Sequence, residues 1–545
     1  MSALHFDILY EVIREVDVFK RKDRQAALIS LSLVCHSLSD AIRPILFHEV
    51  TWPHPNKHNN ERGLHFLPEV LWPYIHRFHL DWPDHWPDVF PPLWGTKSPG
   101  EGIYVPKHMD KLEAALPRMT NIKTLQIMCP FHPPRTLLAA IVKCPNITDL
   151  RIIDTPIHVG DVLAVPQNFL LTRLTLGAVG EAVRVGEGPY NKKFQDLSFY
   201  TREYRKRYGG EIGLSSTAHP YIFRLGRTDS LTYLQLSSKY VNLNAFRQYE
   251  WPALETFVLT GAPLRRAWAP KVPLVDVIAR MPKLFDLRLL FAKSNRKDDE
   301  LTQIVPPRYH AHEHSPASVL SQIRYLALSN AYDSQDLLHY TSFLERLSVS
   351  AIIATPRIPI ALTRQDVDQV LDDLAIGGGN VGLKRLRLMT EDELNFSLFE
   401  KIGRICPALE FVEVELCGYR EGEAGFEWTD YGDAFSTYAH LQELRVGIPF
   451  AGCDEHDEHD GQDLECIRSD RRDCAIYLAS RVPTLRRISF EYRTRTGSHR
   501  HEDRWLDFDV IRLGDGKIRD IRVAELDQSW YPIPEIWERV PLYDY

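Results

Sequence analysis

The stretch Cys406-Pro407-Ala408-Leu409-Glu410-Phe411-Val412-Glu413-Val414 decides the fold, because close copies of it recur along the chain. In each copy a proline lies two residues before an apolar residue that opens an L-x-x-L-x-L pattern. Four further copies begin at Cys144-Pro145, Trp251-Pro252, Met281-Pro282 and Val482-Pro483. The recurrence predicts an array of similar structural units.

The physical chemistry of one unit explains its residue pattern. The L-x-L step places two apolar side chains on the same face of a short strand, since strand side chains alternate with period two. Amphipathic helical runs at residues 135–143 and 399–405 precede two of the prolines. Proline lacks an N–H group and disfavours helical geometry in the residue before it, so it ends the helix and starts an extended segment. One such unit cannot bury its apolar face alone, whereas stacked neighbours can.

This helix-plus-strand pattern is that of leucine-rich repeats. The leading apolar residues of the matches are Ile75, Ile122, Ile147, Leu171, Leu231, Leu254, Leu284, Ile323, Leu344, Leu383, Leu409, Leu441 and Leu485. Many of the spacings fall within the roughly 20–29 residues expected, and longer spacings hold insertions. We therefore expect an α/β fold in which residues 51–545 form an irregular, horseshoe-shaped repeat solenoid, with a last strand through Ile518, Ile521 and Val523.

Composition sets limits on what the chain binds. Of its 545 residues, 44% are hydrophobic and 25% charged, and its net charge is −8, which disfavours general binding to nucleic acid. No apolar run approaches the length of a membrane span, and acidic and basic residues interrupt the start. The eight cysteines stand singly, which indicates buried, reduced thiols in an intracellular protein of the cytoplasm or nucleus. Cys35, Cys144 and Cys406 lie in apolar helical surroundings.

The first fifty residues have a different pattern and predict a helical module. Residues 4–18 place apolar side chains at helical spacing: Ile8, Leu9, Val12, Ile13 and Val16. A charged break follows at residues 20–24, and residues 26–42 then form a second amphipathic helix. Arg43-Pro44 is expected to end that helix, and residues 45–50 to be extended.

Three segments of this module resemble an F-box: Leu4-His5-Phe6-Asp7-Ile8-Leu9-Tyr10-Glu11-Val12-Ile13, then Leu31-Ser32-Leu33-Val34-Cys35-His36-Ser37-Leu38, and Ile42-Arg43-Pro44-Ile45-Leu46-Phe47. The chain is most similar to the F-box proteins with leucine-rich repeats that are abundant in mushroom-forming fungi. The resemblance implies the substrate-recognition subunit of an SCF-type ubiquitin ligase, in which the module docks a Skp-type adaptor, and through it a cullin, while the repeats bind an unknown target protein. The residues that it assigns to adaptor binding are Leu4, Ile8, Leu9, Val12, Ile13, Leu31, Val34, Cys35 and Leu38.

Two positions depart from the usual F-box pattern: His5 stands where proline is usual, and Leu38 where tryptophan is usual. A proline there preorganises the first helical turn, so its absence points to weaker adaptor binding. The alternative interpretation is a leucine-rich-repeat binding scaffold without a ubiquitin role. In that case the amino-terminal helices cap the exposed apolar end of the array, as terminal units of solenoids must.

Insertions on a rigid scaffold often carry the binding residues. We expect four inserted loops, at about residues 81–100, 180–222, 293–316 and 453–474. The first supplies aromatic candidates for target binding and the second supplies basic ones: Trp82, Trp86, Trp94, Arg205 and Arg207. Folding of the first loop over the sheet edge and simple solvation of the second are the competing interpretations.

The sequence gives no sign of an enzyme or a cofactor. The run Gly377-Gly378-Gly379-Asn380-Val381-Gly382-Leu383-Lys384 is not a phosphate loop, because Leu383 separates glycine from lysine and a helix precedes the run instead of a strand. These glycines are expected to end that helix. His456 and His459, with Cys453, Cys466 or Cys474, lack the paired spacing of a zinc site, so we predict no metal. No nucleophile elbow, zinc-protease motif or dinucleotide fingerprint occurs.

Overall fold

A computed structural model provides the coordinates. The structure describes the following residues: 21–52, 67–81, 106–128, 135–144, 146–153, 169–177, 183–184, 228–237, 246–261, 273–291, 315–329, 335–350, 352–353, 362–390, 394–416, 428–448, 450, 455–457, 461–495 and 501–523.

Strands and helices alternate along most of the described chain. The strands are β1 (Glu49–Trp52), β2 (Arg77–Asp81), β3 (Thr124–Met128), β4 (Asp149–Ile153), β5 (Arg173–Gly177), β6 (Val183–Arg184), β7 (Tyr233–Ser237), β8 (Thr256–Gly261), β9 (Asp286–Phe291), β10 (Tyr325–Ser329), β11 (Arg346–Ser350), β12 (Ile352–Ile353), β13 (Arg385–Thr390), β14 (Phe411–Leu416), β15 (Glu443–Val446), β16 (Glu455–Asp457), β17 (Arg487–Arg495), β18 (His501–Arg512) and β19 (Ile518–Val523). The helices are α1 (Arg21–Ser32), α2 (His36–Leu46), α3 (Pro106–Ala115), α4 (Arg135–Ile141), α5 (Leu274–Ile278), α6 (Pro316–Leu320), α7 (Gln335–Leu338), α8 (Arg364–Ile376), α9 (Phe396–Ile405), α10 (Tyr431–Phe435) and α11 (Gly461–Arg481).

The chain forms two compact units. The first contains the described residues from 21 to 177 and from 228 to 237, and the second contains β6 and the described residues from 246 to 523. Helices α1 and α2 therefore belong to the same unit as the first repeats. The division of the chain at residue 50 into a module and a solenoid stays a prediction.

In the first unit, strands β1, β2, β3, β4, β5 and β7 pair in parallel in that order. Their register brings one buried apolar residue of each strand into a single row: Val50, Phe78, Leu125, Leu150, Leu174 and Leu234. Each strand thus continues the core of its neighbour, as a stacked repeat must.

The second unit repeats the arrangement. Strands β8, β9, β10, β11, β13, β14, β15 and β17 pair in parallel in that order. The corresponding row consists of Phe257, Leu287, Leu326, Leu347, Leu386, Val412, Leu444 and Ile488, none more than 1% exposed. A fully buried side chain of this size stabilises a fold by about 1.5–3 kcal/mol. This row confirms the predicted leucine-rich-repeat fold.

The leading residues behave as the pattern predicts. Every one of the thirteen, from Ile75 to Leu485, is buried with at most 1% of its surface exposed. Helix α4 ends at Ile141 and α9 at Ile405, each just before the Cys-Pro step of its repeat. Helix α9 thus ends directly before Cys406-Pro407, as expected for a helix that a proline ends.

Helices α7 to α11 each contact the next helix in sequence. Between α9 and α10 the contact is aromatic: the rings of Phe399 and Phe435 lie 4.7 Å apart, and the Tyr438 hydroxyl donates to the Phe399 carbonyl at 2.6 Å.

Helix α8 ends at the glycine run as predicted. Gly378 has φ 72°, and a Cβ on Gly377 would clash with the Leu338 carbonyl oxygen. Gly377 is needed because a side chain would not fit, and Gly378 because its backbone is left-handed.

The carboxyl-terminal end of the array differs from the repeats. The predicted last strand is present as β19, but β18 runs antiparallel to both β17 and β19. This three-stranded antiparallel ribbon pairs the edge of β17 that would otherwise be open. The insertion expected at 453–474 is in part regular structure, since β16 pairs with β17 and helix α11 begins at Gly461.

The prediction of buried thiols is confirmed for three described cysteines and wrong for a fourth. Cys144, Cys406 and Cys474 are buried, and burial raises the pKa of Cys144 and of Cys406 to about 12. Cys35 is exposed, because it lies in the turn between two helices and not inside one.

Candidate functional site

The amino-terminal candidate site is built on a pair of packed helices. Leu28 of α1 and Leu38 and Ile42 of α2 form a small buried core, against which five further apolar residues pack: Ala27, Leu31, Ala41, Ile45 and Leu46. Arg43 forms an ion pair with Asp40 at 2.8 Å on the solvent side of α2. The core therefore fixes the angle between the helices and the position of the turn between them.

That turn exposes apolar side chains. Leu33 is 81% exposed and Val34 69% exposed, and Ile29, one turn earlier in α1, is 46% exposed. The N–H groups of Leu33 and Val34 donate to the carbonyls of Ser30 and Leu31, which tightens the end of α1. Exposed large apolar residues in a cluster are typical of an interaction surface. We call Ile29, Leu33, Val34 and Cys35 the apolar turn.

The residues assigned to adaptor binding fall into three groups. Val34 and Cys35 are exposed in the apolar turn, whereas Leu31 and Leu38 pack in the core beneath it. Leu31 and Leu38 therefore support the surface that Val34 belongs to. The remaining assigned positions lie outside the described residues: Leu4, Ile8, Leu9, Val12 and Ile13.

The helix boundaries predicted for this region are wrong in three places. Helix α1 already begins at Arg21, inside the charged segment expected to be a break. The single helix expected over 26–42 is two helices, since Cys35 is extended (φ −159°, ψ 162°). Helix α2 continues through Pro44 to Leu46. Proline near a helix end removes a single hydrogen bond, and burial of Ile45 and Leu46 against the core offsets that loss.

The predicted target-binding residues cannot be placed. Trp82, Trp86, Trp94, Arg205 and Arg207 lie outside the described residues, and so do most of the insertions that carry them.

A polar network that sequence reasoning missed lies on the second unit, on the sheet face opposite the buried leucines. We call this the polar face; it consists of the residues that alternate with the leucine row. The Arg387 guanidinium lies 2.5 Å from Glu413 and 3.0 Å from Glu415, and Arg445 lies 3.3 Å from Glu413 and 3.6 Å from Asp507. All five side chains are at most 9% exposed. These contacts stabilise the face at strands β13 to β18.

Strands β10, β11 and β13 carry a more accessible part of the polar face. Arg346 of β11 lies directly beside Arg385 of β13 in the register, and the Arg346 guanidinium lies 4.1 Å from the centre of the Tyr325 ring. All three side chains are half-exposed. We call Tyr325, Arg346 and Arg385 the arginine patch. The available sequence signal was that all three residues stand directly before the L-x-L step of their repeats.

No group of three or more metal-ligating side chains occurs among the described residues. Cys474 is buried in α11, and burial raises the pKa of its thiol. The side chains of Cys453, His456, His459 and Cys466 lie outside those described. None of the described helices is both long enough and apolar enough to cross a bilayer.

Comparison with known proteins gives distant similarity only. No protein-family model matches the chain, and no curated protein does. Among solved structures, the chain is similar to the yeast complex of Rad7 and Elc1, with 14% identity and a TM-score of 0.36, over 83% of this chain and 97% of that one. It is also similar to TLR13 in complex with a single-stranded RNA, with 14% identity and a TM-score of 0.30, over 71% of this chain and 49% of that one. The function proposed below therefore rests on the residues of this chain.

Proposed function

We propose that this protein is the substrate-recognition subunit of an SCF-type ubiquitin ligase. The amino-terminal helices dock a Skp-type adaptor, and through it a cullin, while the repeats bind a target protein. In this proposal the chain itself catalyses no reaction, needs no cofactor, and acts in the cytoplasm or nucleus.

The apolar turn is the observation that carries the proposal. Leu33 and Val34 belong to the Leu31–Leu38 segment that resembles an F-box, and a folded helix pair presents both side chains to solvent. Exposing a leucine to water forgoes about 1.5–3 kcal/mol that burial would supply. A partner that covers the turn recovers this free energy, so the exposure supports docking at this position.

A second candidate function is supported by a different contact. Helix α2 contacts the 3-10 turn Glu69–Tyr74, and the His48 carbonyl accepts hydrogen bonds from the N–H groups of His76 and Arg77 at the start of β2. The helix pair thus lies against the first repeat, as an end cap would. In this second function the helices cap the array and need no adaptor.

Substituting the apolar turn tests the docking role. We expect the full-length double variant Leu33→Asp/Val34→Asp to bind a fungal Skp-type adaptor at least about tenfold more weakly than the wild type. In the proposed complex the adaptor would then cover two charges in place of two apolar side chains. Isothermal titration or surface capture with purified adaptor measures this. The circular dichroism spectrum should not change, since both side chains are exposed in the free protein.

The matched control is Val381→Asp, because Val381 is 68% exposed but lies in the second unit. This variant should bind the adaptor like the wild type. Equal binding by L33D/V34D and V381D would contradict docking at the apolar turn. No binding by the wild-type protein, with a known F-box protein bound in parallel, would favour the capping scaffold.

A further inference from the structure

Two histidine rings stack where the amino-terminal helix pair meets the first repeat. His48 lies between α2 and β1, and His76 directly precedes β2. The ring centres lie 4.7 Å apart, with an angle of 18° between the ring planes. The His48 carbonyl also accepts hydrogen bonds from the N–H groups of His76 and Arg77, at 3.0 and 2.9 Å. His48 and His76, which we call the histidine stack, are therefore part of the contact between the helix pair and the first repeat.

The charges around the histidine stack are mostly positive. Arg77 opens β2, and Lys123 directly precedes β3. Both act on His48 as cations, and so does His76 when it is protonated. Glu49 acts in the opposite direction, and its carboxylate lies 3.6 Å from the Arg77 guanidinium. A second proton on the stack therefore meets more positive than negative charge.

One neighbouring contact responds to acid in the opposite direction. The Nε2 atom of His79 lies 3.7 Å from the Glu49 carboxylate, so protonation of His79 would strengthen that contact between β1 and β2. The same carboxylate also lies beside Arg77, so its charge is shared between two partners. Two further ion pairs on the packed elements, each at 2.8 Å, add no net charge: Arg43 with Asp40, and Arg118 with Glu69.

The direction of the pH effect follows from the surroundings of His48. The residue is exposed, so protons reach it, but the His76 ring covers one face of its imidazole. Partial burial, and next the charges of His76 and Arg77, lower the pKa of His48 below its usual value of 6.5. The unfolded chain therefore binds this proton more readily than the folded protein does. The stabilisation is fully present above about pH 6.5 and is lost as the pH falls through that value toward the pKa of the folded state.

We propose that the histidine stack makes the contact between the helix pair and the first repeat sensitive to pH. When both imidazoles are neutral, the rings stack and the contact is closed. When both are protonated, two cations lie face to face beside Arg77 and Lys123, and the contact loosens. The inference goes beyond the proposed function, because it concerns how the helix pair is held and applies to a docking module and to an end cap alike.

Hydrogen–deuterium exchange of the full-length protein at about pH 7.5 and about pH 5.5 tests the proposal. The N–H groups of His76 and Arg77 form the hydrogen bonds of this contact, so a peptide that covers both residues reports on it directly. After correction for the intrinsic pH dependence of exchange, we expect its protection factor in the wild type to fall at least about threefold at the lower pH. The variant His48→Gln/His76→Gln keeps both backbone hydrogen bonds but has neither imidazole, so its protection factor should fall by less than half as much.

His36→Gln is the matched control, because His36 is an exposed histidine at the other end of α2. This variant should lose protection like the wild type. An equal loss in H48Q/H76Q and the wild type, or no loss in the wild type, would overturn the proposal. If the circular dichroism spectrum of H48Q/H76Q differs from that of the wild type at the higher pH, His76→Gln alone takes its place. H76Q should lose less protection than the wild type, and an equal loss would again overturn the proposal.

Discussion

Replacing Arg387 by methionine is expected to lower the free energy of unfolding of the second unit by about 3–5 kcal/mol. Arg387 is the cation that Glu413 and Glu415 share, at 2.5 and 3.0 Å, and both carboxylates are at most 6% exposed. Without Arg387, two buried carboxylates on one strand would lie beside each other without the cation that they share. Breaking a buried ion pair costs more than the pair contributes, because the remaining charge stays desolvated. Urea unfolding measures the loss.

The matched control for this variant is Arg487→Met on the same face. Arg487 binds Asp509 at 2.9 Å, but the two side chains are 49% and 42% exposed, so we expect a loss below about 1 kcal/mol. Adding Glu415→Leu to the Arg387→Met variant should restore part of its stability, because it removes one of the two buried carboxylates that Arg387 held and leaves the pair of Glu413 and Arg445 in place. An equal loss of unfolding free energy in R387M and R487M would contradict this prediction, because it would show that water reaches the network at Arg387.

The second large effect is expected from Leu386→Ala, which should lower the free energy of unfolding of the second unit by about 2–5 kcal/mol. Leu386 is fully buried in the leucine row, where its register partners are Leu347 and Val412. Truncation removes apolar burial and leaves a cavity that the neighbouring strands cannot close without breaking register. Val381→Ala, 68% exposed in the same unit, should change the free energy of unfolding by less than about 0.5 kcal/mol. A loss that small in L386A would contradict the stacked core.

The stacked core could be predicted from sequence because it depends on a residue pattern that lies within each repeat. Each repeat contains its own leading apolar residue and its own L-x-L step. In every copy the apolar face of the strand is stabilised by burial against the neighbouring repeats. Stacking then needs no long-range information beyond the recurrence itself. This is why Ile75 and Leu485, far apart in sequence, were both correctly assigned to the core.

Features that depend on one particular contact could not be predicted in this way. The segment up to residue 474 was expected to be an inserted loop, whereas residues 461–474 belong to helix α11, whose buried face includes Arg471. That guanidinium lies 4.4 Å from the centre of the Phe450 ring and donates to the Glu491 carbonyl, so a charged residue occupies a core position with Cys474 and Leu478. A pattern search that counts arginine as solvent-facing misses this helical periodicity.

In the candidate sites, too, some features could be predicted from local sequence and others could not. The segment around Val34 could be assigned from sequence, whereas the break at Cys35 that exposes it could not, since a helical pattern continues on both sides of the turn. The arginine patch depends on strand register, which places Arg346 beside Arg385 across 39 residues of chain. Each arginine stands directly before the L-x-L step of its own repeat, but only the pairing of those two repeats brings them together.

Hydrogen–deuterium exchange of the full-length protein with and without a Skp-type adaptor tests the central claim most directly. The account predicts slower exchange in the peptides that cover α1, the apolar turn and α2 when the adaptor is saturating, and unchanged exchange in strands β8 to β19. Unchanged exchange over residues 26–46, or protection confined to the second unit, would contradict it.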